Sequence, residues 1–470
     1  MKIIIFGTGK KYQEFKKYLH DISNIEVLAL IDNDETKWGK ILDGKVVDNP
    51  ANISRYVYDF IVLMSDYAFE MKKQLMDMRC AEDKMIHFKD FFAKQGCNWV
   101  EYYGECSVRE CTNNKSMLII SEDLGFHGAA IVAFEMAKLA TKVGYSVTII
   151  GTGGSSAFIE EVCRHGIDVF VCEFIERMQE ENLRWVQRFD IVLVNTLLLA
   201  KCAVELAKNR KVIWYLHEAF SEYSRMDYWK GELWEGIENE NISIYAVSEI
   251  AKNNFIKYFS YKKNITILPP FVRDVDGYPH EIALAEKKIK ICVVAGYEKV
   301  KGHNVILDAY EKLTHEVRNQ CEIYFVGKTK DDLYARQILK RIEDHPNCHQ
   351  EGLMNQNVLL GFYKKMDIVV VPSLEETMSL VAIESMMCGK VCIVSDNTGI
   401  ASYIKEKENG LLFLNNNVNS LADKMTWCIE NRGKFDTIGE KARETYCHHF
   451  TIDVFNERFK DMLSVGWVEY

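Results

Sequence analysis

The chain has 470 residues, of which 48% are hydrophobic and only six are proline, a composition typical of globular proteins that excludes a disordered or fibrous chain. With 58 basic and 68 acidic residues the formal charge is −10, which argues against a nucleic-acid partner because phosphate binding needs a basic surface. No apolar run reaches the roughly 18 residues of a membrane span, and fourteen scattered cysteines without a C-x-x-C pair indicate reduced thiols in a cytoplasmic protein.

Short apolar runs alternate with amphipathic stretches along the whole chain, which predicts β-α-β units around parallel sheets. Three segments share one form, an Asp followed by an apolar run and a small polar residue: 59–65, 190–196 and 367–373. The predicted fold class is therefore α/β with three parallel-sheet domains. The predicted boundaries are an accessory domain at 1–95, a linker at 96–115, a second domain at 116–273, a polar second linker at 274–287, a third domain at 288–449 and a C-terminal segment at 450–470. That last segment is predicted to be an amphipathic helix with Phe455, Phe459 and Met462 on one stripe.

The first predicted domain carries part of a dinucleotide-binding fingerprint. Gly7-Thr8-Gly9 follows a strand, but Tyr12 occupies the third glycine position. Asp32 ends the next strand, 23 residues beyond Gly9 and close to the spacing of roughly 20 expected for an acid that contacts ribose hydroxyls. Gly7, Gly9 and Asp32 are the candidate accessory nucleotide site, with a purely structural domain as the alternative.

In the third predicted domain a strand, a loop and a helix run from Val371 to Gly389. Glu376 falls in the loop at the carboxyl end of the strand, where open α/β sheets bind ligands, and Glu384 falls inside the helix. The backbone N–H groups that open this helix favour anions; they belong to Met378, Ser379 and Leu380. This pattern suits a diphosphate held at the helix end, with carboxylates accepting hydrogen bonds from sugar hydroxyls.

The Pro-Ser pair before the loop, the two glutamates eight apart and Gly389 before the next strand resemble the donor-binding signature of the family 4 retaining glycosyltransferases, which have the GT-B fold. Further matches follow in the same order: 296–303, Phe325-Val326-Gly327, Gly352, Tyr363, Asp367 and 409–413. The resemblance covers residues 117–465. Separately, 29–39 resembles the half-Rossmann domains attached to bacterial surface-polysaccharide enzymes, which are related to sugar-nucleotide-binding domains of some sugar acetyltransferases.

The resemblance implies transfer of a sugar from a nucleotide-diphosphate sugar to a glycan or lipid-linked acceptor, with retention and without metal or cofactor. Lys301 would bind the diphosphate, Glu376 and His217 would be catalytic, and Glu384 would hold the ribose. The third domain would bind the donor, the second the acceptor, and the segment 450–470 would cross back to the second domain. The expected setting is cytoplasmic, with peripheral contact at the inner face of a bacterial membrane. The acceptor-side loop after the first strand of the second domain would comprise Gly125, His127 and Gly128.

The sequence also departs from the family. The Arg that the family usually carries before the Lys is missing here, which leaves Lys299 as the second candidate cation. Where the family has Gly-Phe-Gly after the first Glu, this chain has Thr377-Met378-Ser379. Two rival functions therefore stay open: a GT-B sugar-nucleotide isomerase or epimerase, and a non-catalytic sugar-nucleotide sensor. Plain structural roles also stay open for Lys301, Glu384 and His217. The Asp-x-Asp triplets at 32–34 and 274–276 lack the context of a metal site and are interpreted as coincidental.

Overall fold

The computed structural model describes residues 1–97, 100–104, 115–274 and 288–465. They form three mainly parallel β-sheets flanked by helices, which confirms the predicted α/β class. The chain divides into two compact units. The first contains Met1–Tyr215 and Ser221–Ser243, and the second contains Leu216–Phe220 and Ile244–Val465.

The first sheet of the first unit has the strand order β3-β4-β2-β1-β5-β6. Its central strand β1 is almost wholly buried and pairs in parallel with β2 and β5, so the order reverses beside β1, where ligands bind in such sheets. The strands are β1 (Lys2–Phe6), β2 (Glu26–Ile31), β3 (Ile41–Leu42), β4 (Lys45–Asp48), β5 (Phe60–Leu63) and β6 (Met85–His87), and the helices are α1 (Lys10–Phe15), α2 (Ala68–Asp77) and α3 (Phe88–Lys94).

The second sheet begins inside the predicted linker. Its strand β7 (Val100–Tyr103) pairs antiparallel with β10, whereas the neighbouring pairs are parallel in the order β12-β11-β8-β9-β10. The predicted linker at 96–115 therefore contains an edge strand. The next strands of this eight-stranded sheet are β8 (Ser116–Ser121), β9 (Ser146–Gly151), β10 (Asp168–Cys172), β11 (Ile191–Asn195) and β12 (Val212–Leu216), and the helices are α4 (Gly128–Lys142), α5 (Ser156–Arg164), α6 (Ala200–Ala207) and α7 (Lys230–Gly236).

Residues 1–97, here the first domain, dock firmly within the first unit. Phe174, which follows β10, belongs to the same buried cluster as Tyr18 and Phe92, with ring centroids 5.1 and 5.7 Å away. Lys89 forms an ion pair with the buried Glu176. Aromatic and charged contacts of this kind are costly to break once buried, so the first domain is part of the unit's core.

The second unit contains the third sheet, all parallel, in the order β17-β16-β15-β18-β19-β20. Its strands are β15 (Ile289–Val294), β16 (Cys321–Val326), β17 (Cys348–Gly352), β18 (Ile368–Val371), β19 (Val391–Ser395) and β20 (Leu411–Phe413). Its helices from α9 onward are α9 (His303–Lys312), α10 (His315–Asn319), α11 (Leu333–Glu343), α12 (Gln356–Lys364), α13 (Leu380–Met387), α14 (Val418–Glu430), α15 (Phe435–His449) and α16 (Ile452–Val465).

The final helix α16 has the predicted apolar stripe, since Phe455, Phe459 and Met462 are buried. Phe455 packs against Phe271 with ring centroids 4.9 Å apart. The predicted crossing of this helix to the acceptor domain stays a prediction. Before the third sheet, strand β13 (Ile242–Ala246) ends in the second unit, pairs in parallel with β14 (Thr266–Ile267) and is followed by α8 (Glu249–Phe259).

The segment 274–287, predicted as a linker, lies outside the described residues apart from Asp274, and so does most of the second Asp-x-Asp triplet. Within the described part of the chain, every helix is too short or too polar to cross a membrane.

Candidate active site

Two loops of the third sheet meet at the carboxyl ends of its adjacent strands β15 and β18. Gly302 has φ +72° and a Cβ added there would lie 1.9 Å from the carbonyl oxygen of Pro372, so only glycine fits. Beside it, Leu374 N–H donates to Val300 O at 2.8 Å. The turn 299–302 and the loop 372–379 are therefore held together, as expected where parallel strands end at one sheet edge.

This contact brings Lys301 and Glu376 together, although 75 residues separate them in the sequence. Lys301 Nζ lies 2.5 Å from Glu376 Oε2, and Ser373 Oγ donates to the same carboxylate oxygen at 3.3 Å. The two side chains keep 30% and 19% of their surface exposed, so a ligand can reach both. A fixed cation thus stands beside a carboxylate at the ligand-binding edge of the sheet.

Helix α13 begins at Leu380, shortly after Glu376. Ser379 is its N-cap, and its side chain accepts a hydrogen bond from Ala382 N–H at 3.2 Å. The first N–H groups of a helix have no partner within it and carry the positive end of the helix dipole. Met378, Ser379 and Leu380 therefore lie at the positive end of the helix dipole, close in sequence to Glu376, and their binding of the donor diphosphate stays a prediction.

Glu384 lies about one turn into the same helix and is 93% buried. Its Oε1 accepts from Gln356 Nε2 at 2.8 Å and its Oε2 from the Tyr363 hydroxyl at 2.9 Å. Burial raises the pKa of Glu384, and these two hydrogen bonds oppose the rise only in part. Both of these partners are uncharged, so Glu384 is held by neutral hydrogen-bond donors inside the protein. Sequence reasoning missed Gln356, because a glutamine at the start of a helix carries no signal of its own.

His217 follows strand β12 and meets the Glu376 loop within the second unit. Its carbonyl oxygen accepts a hydrogen bond from the Thr377 hydroxyl, and its N–H donates to Glu218 Oε2 at 2.9 Å. The structure thus brings His217 next to the residue that follows Glu376. Thr377 entered the sequence analysis only as a departure from the family, and nothing in the sequence pointed to this contact.

The segment before Lys301 lacks the arginine that the family usually carries there, and an aromatic pair is buried beside it. Tyr297 is fully buried and stacks on His303, with ring centroids 4.7 Å apart and an interplanar angle of 18°. Burial lowers the pKa of His303 to about 4, so this histidine is neutral near pH 7. Lys299 is exposed in the same turn as Lys301 and remains the second candidate cation.

The predicted acceptor-side loop lies in the first unit, after strand β8. His127 occupies the N-cap position of helix α4, which starts at Gly128, but its side chain turns to Asp123 instead of the helix: its Nε2 lies 3.2 Å from Asp123 Oδ2. That hydrogen bond lowers the pKa of Asp123.

Sequence reasoning missed Glu122, which lies directly after β8 in the same loop. Glu122 pairs with Arg225 at 3.2 Å, and burial raises its pKa. A signal was available, because polar residues that directly follow a buried strand lie at the ligand-binding edge of a parallel sheet.

The accessory residues lie around a cavity of about 510 Å³ at the ends of β1 and β5, lined in part by Gly7, Gly9 and Asp32. Asp32 is already engaged: its Oδ2 accepts from the N–H and hydroxyl of Thr8 and from Lys37, and its Oδ1 from Asp34 N–H. Although burial opposes them, these bonds lower the pKa of Asp32. The geometry therefore gives Asp32 a role in holding the Gly7-Thr8 turn, and its predicted contact with a nucleotide stays a prediction.

Across the described residues, no three His, Cys, Asp or Glu side chains form a group that could hold a metal ion. In the first Asp-x-Asp triplet, Asp34 accepts from Thr36 and Asp32 is engaged as described above. The expectation of a metal-free reaction stays an expectation.

Three family descriptions match the chain. Residues 275–445 match "Glycosyl transferases group 1", residues 113–235 match "Glycosyl-transferase family 4", and residues 1–86 match "C2185-like, N-terminal". The first two fall on the predicted donor and acceptor regions.

Among similar proteins is the N-acetyl-alpha-D-glucosaminyl L-malate synthase of Bacillus anthracis, which is 22% identical over 353 residues, or 69% of this chain and 90% of that protein. The lipopolysaccharide 1,2-N-acetylglucosaminetransferase of Salmonella typhimurium is 22% identical over 59% of this chain and 73% of its own length. The solved structure of Anabaena Alr3699/HepE in complex with UDP and glucose has a TM-score of 0.62 at 17% identity, covering 74% of this chain and 99% of that one. This structural likeness concerns the fold.

The two glycosyltransferase matches together span more than half of the sequence, and their order along the chain is that of the second and third sheets. The chain therefore belongs to the group 1 glycosyltransferases and has the GT-B fold.

Proposed function

We propose that this glycosyltransferase moves a sugar from a nucleotide-diphosphate sugar to a glycan or lipid-linked acceptor, with retention at the anomeric carbon and without a metal ion. The observation that carries the proposal is the Lys301–Glu376 pair beside the start of helix α13. A cation, a helix N-terminus and a carboxylate in one place suit a diphosphate joined to a sugar.

In this proposal the diphosphate binds between Lys301 and the N–H groups of Met378, Ser379 and Leu380, with Lys299 as an outer cation. Glu384 accepts hydrogen bonds from the ribose hydroxyls, held in place by Gln356 and Tyr363. Support for a nucleotide-sugar donor comes from the similar Anabaena protein, which was solved with UDP and glucose and separately with UDP-glucose.

The reaction breaks the bond between the anomeric carbon and the diphosphate, and the electron pair goes to the diphosphate. Lys301 and the helix end stabilise that developing negative charge, a task that a metal ion performs in other enzymes. Glu376 and His217 position the donor sugar while the oxygen of an acceptor hydroxyl bonds to the anomeric carbon and the proton of that hydroxyl passes to the leaving diphosphate. Gly125, His127 and Gly128 contribute backbone and imidazole contacts to the acceptor.

The test incubates the full-length chain with a panel of nucleotide sugars, with and without simple glycoside acceptors, and measures free nucleoside diphosphate. We expect one donor to release diphosphate faster when an acceptor is present, in EDTA as in buffer, with an α-linked product from an α-linked donor by NMR. Conversion of the donor sugar without diphosphate release would instead establish the isomerase. Donor binding in a thermal-shift assay without any turnover would establish the sensor, and strict dependence on a divalent cation would overturn the metal-free reaction.

A further inference from the structure

Thr377 differs from the glycine that the family carries after its first glutamate, and the structure gives its side chain a partner. The Thr377 hydroxyl donates to the carbonyl oxygen of His217. A glycine has no hydroxyl and could not make this bond. The contact lies within the second unit, between the loop that carries Glu376 and the end of strand β12.

The loop around Thr377 is held firmly on another side. Gly399 N–H donates to Glu376 O at 2.9 Å, and a Cβ at Gly399 would lie 1.8 Å from Thr377 O and 2.8 Å from Ser248 Oγ. Close backbone packing of this kind leaves the loop little freedom to shift. The backbone that carries the Thr377 hydroxyl is therefore held in place, and the hydroxyl can in turn hold another segment.

The segment held by Thr377 is the main chain of His217, whose carbonyl oxygen and N–H both make hydrogen bonds. Its carbonyl oxygen binds Thr377, and its N–H binds Glu218 Oε2 at 2.9 Å. The position of a side chain depends on the position of its backbone, and a shift of about 1 Å in a reacting group can cost about a hundredfold in rate.

We propose that Thr377 is a positioning residue, which holds His217 at the Glu376 loop so that the imidazole meets the donor sugar. The proposal rests on the proposed function, since it gives His217 a part in transfer. It also accounts for the departure from the family's glycine: in this chain the loop supplies a hydroxyl that fixes the histidine. A serine at position 377 would supply the same hydroxyl, whereas valine keeps the shape of threonine and removes the donor.

The experiment compares Thr377→Val and Thr377→Ser in the full-length chain and in a His217→Ala background. Because the bond ends on the main-chain oxygen of His217, His217→Ala leaves that bond in place and removes only the imidazole. We expect Thr377→Val to lower kcat about tenfold with donor KM changed less than twofold, and Thr377→Ser to keep at least half of kcat. In the His217→Ala background, Thr377→Val should have no further effect, which is the signature of coupled residues.

An equal loss from Thr377→Val in both backgrounds, or full activity of Thr377→Val, would overturn the proposal. A readout without turnover separates this outcome from failure of the proposed function. In NMR spectra of protein labelled at histidine nitrogens, with the His217 signals assigned through His217→Ala, Thr377→Val should shift those signals and Thr377→Ser should not. Unchanged signals in Thr377→Val would overturn the proposal even if no donor is turned over.

Discussion

The indole N–H of Trp229 donates to Asp90 Oδ2 at 2.7 Å, and Lys201 Nζ lies 3.2 Å from Asp90 Oδ1. Asp90 belongs to helix α3 of the first domain, whereas Trp229 and Lys201 flank the second sheet. The Asp90 and Lys201 side chains are only 7% and 8% exposed. The first domain thus inserts a buried carboxylate whose partners come from the second.

We expect Asp90→Ala to lower the free energy of unfolding by about 3 kcal/mol, because it leaves Trp229 without an acceptor and leaves the buried Lys201 with only the half-exposed Glu232, 3.0 Å away, as a partner. Urea unfolding of the full-length chain measures the change. The matched control is Glu161→Ala, which removes an exposed partner of Arg164 and should cost less than about 1 kcal/mol. Equal effects of the two substitutions would contradict a firm docking of the first domain.

Lys301→Met should lower turnover by about 10²- to 10³-fold, because it removes a fixed positive charge from the place where the leaving diphosphate becomes negative. Lys299→Met is the matched control, since it removes the same charge from an exposed position two residues away, and should cost less than about tenfold. Steady-state release of nucleoside diphosphate provides the measurement. A larger loss from Lys299→Met would reassign the main diphosphate contact.

Tyr363→Phe should move the acidic limb of donor binding to higher pH. Burial already raises the pKa of Glu384, and the variant removes a hydrogen bond that favours its carboxylate, so the pKa rises further. Donor affinity, followed by calorimetry from pH 5 to 8, should fall off earlier on acidification than in the wild type. An unchanged pH profile would mean that donor binding does not require an ionised Glu384.

The raised pKa of Glu384 also determines how the stability of the fold changes with pH. A group protonated more readily in the folded state stabilises the fold below its unfolded pKa, and this contribution is lost as pH rises through the folded value. Glu384→Gln should therefore make stability less dependent on pH above 4.5, the ordinary value for this group. Thermal unfolding at several pH values checks this, and a steeper dependence in the variant would contradict it.

Gly302→Ala should destabilise the chain by more than about 2 kcal/mol, since alanine is strained at φ +72° and its Cβ would lie 1.9 Å from Pro372 O. At Gly296, in the same segment, the nearest atom to an added Cβ is 3.8 Å away and φ is not positive, so Gly296→Ala should be nearly neutral. Thermal unfolding of both variants gives the comparison, and equal tolerance would mean that the two loops can separate.

The family resemblance assigned Lys301 and Glu376 to one donor site, and the structure brings the two side chains together at the edge where their parallel strands end. The sequence did not predict the hydrogen bond from Gln356 to Glu384 or the one from Thr377 to His217, since each depends on how separate elements pack in space. Asp32 had the right spacing for a ribose contact, but only the structure revealed the four hydrogen bonds that occupy it. The strand β7 was missed because four residues, Val-Glu-Tyr-Tyr, are too short a run to show the period of a strand.

The place of Phe174 in the first domain's core has a consequence for synthesis. A ribosome completes residues 1–97 well before it reaches residue 174, so Phe15, Tyr18 and Phe92 stay without one of their aromatic neighbours until β10 has been made. Over the same interval β7 has no partner, because β10, the strand with which it pairs, has not yet been made. The aromatic cluster of the first domain is therefore completed only after residue 174 has been made, and until then part of its apolar surface stays uncovered.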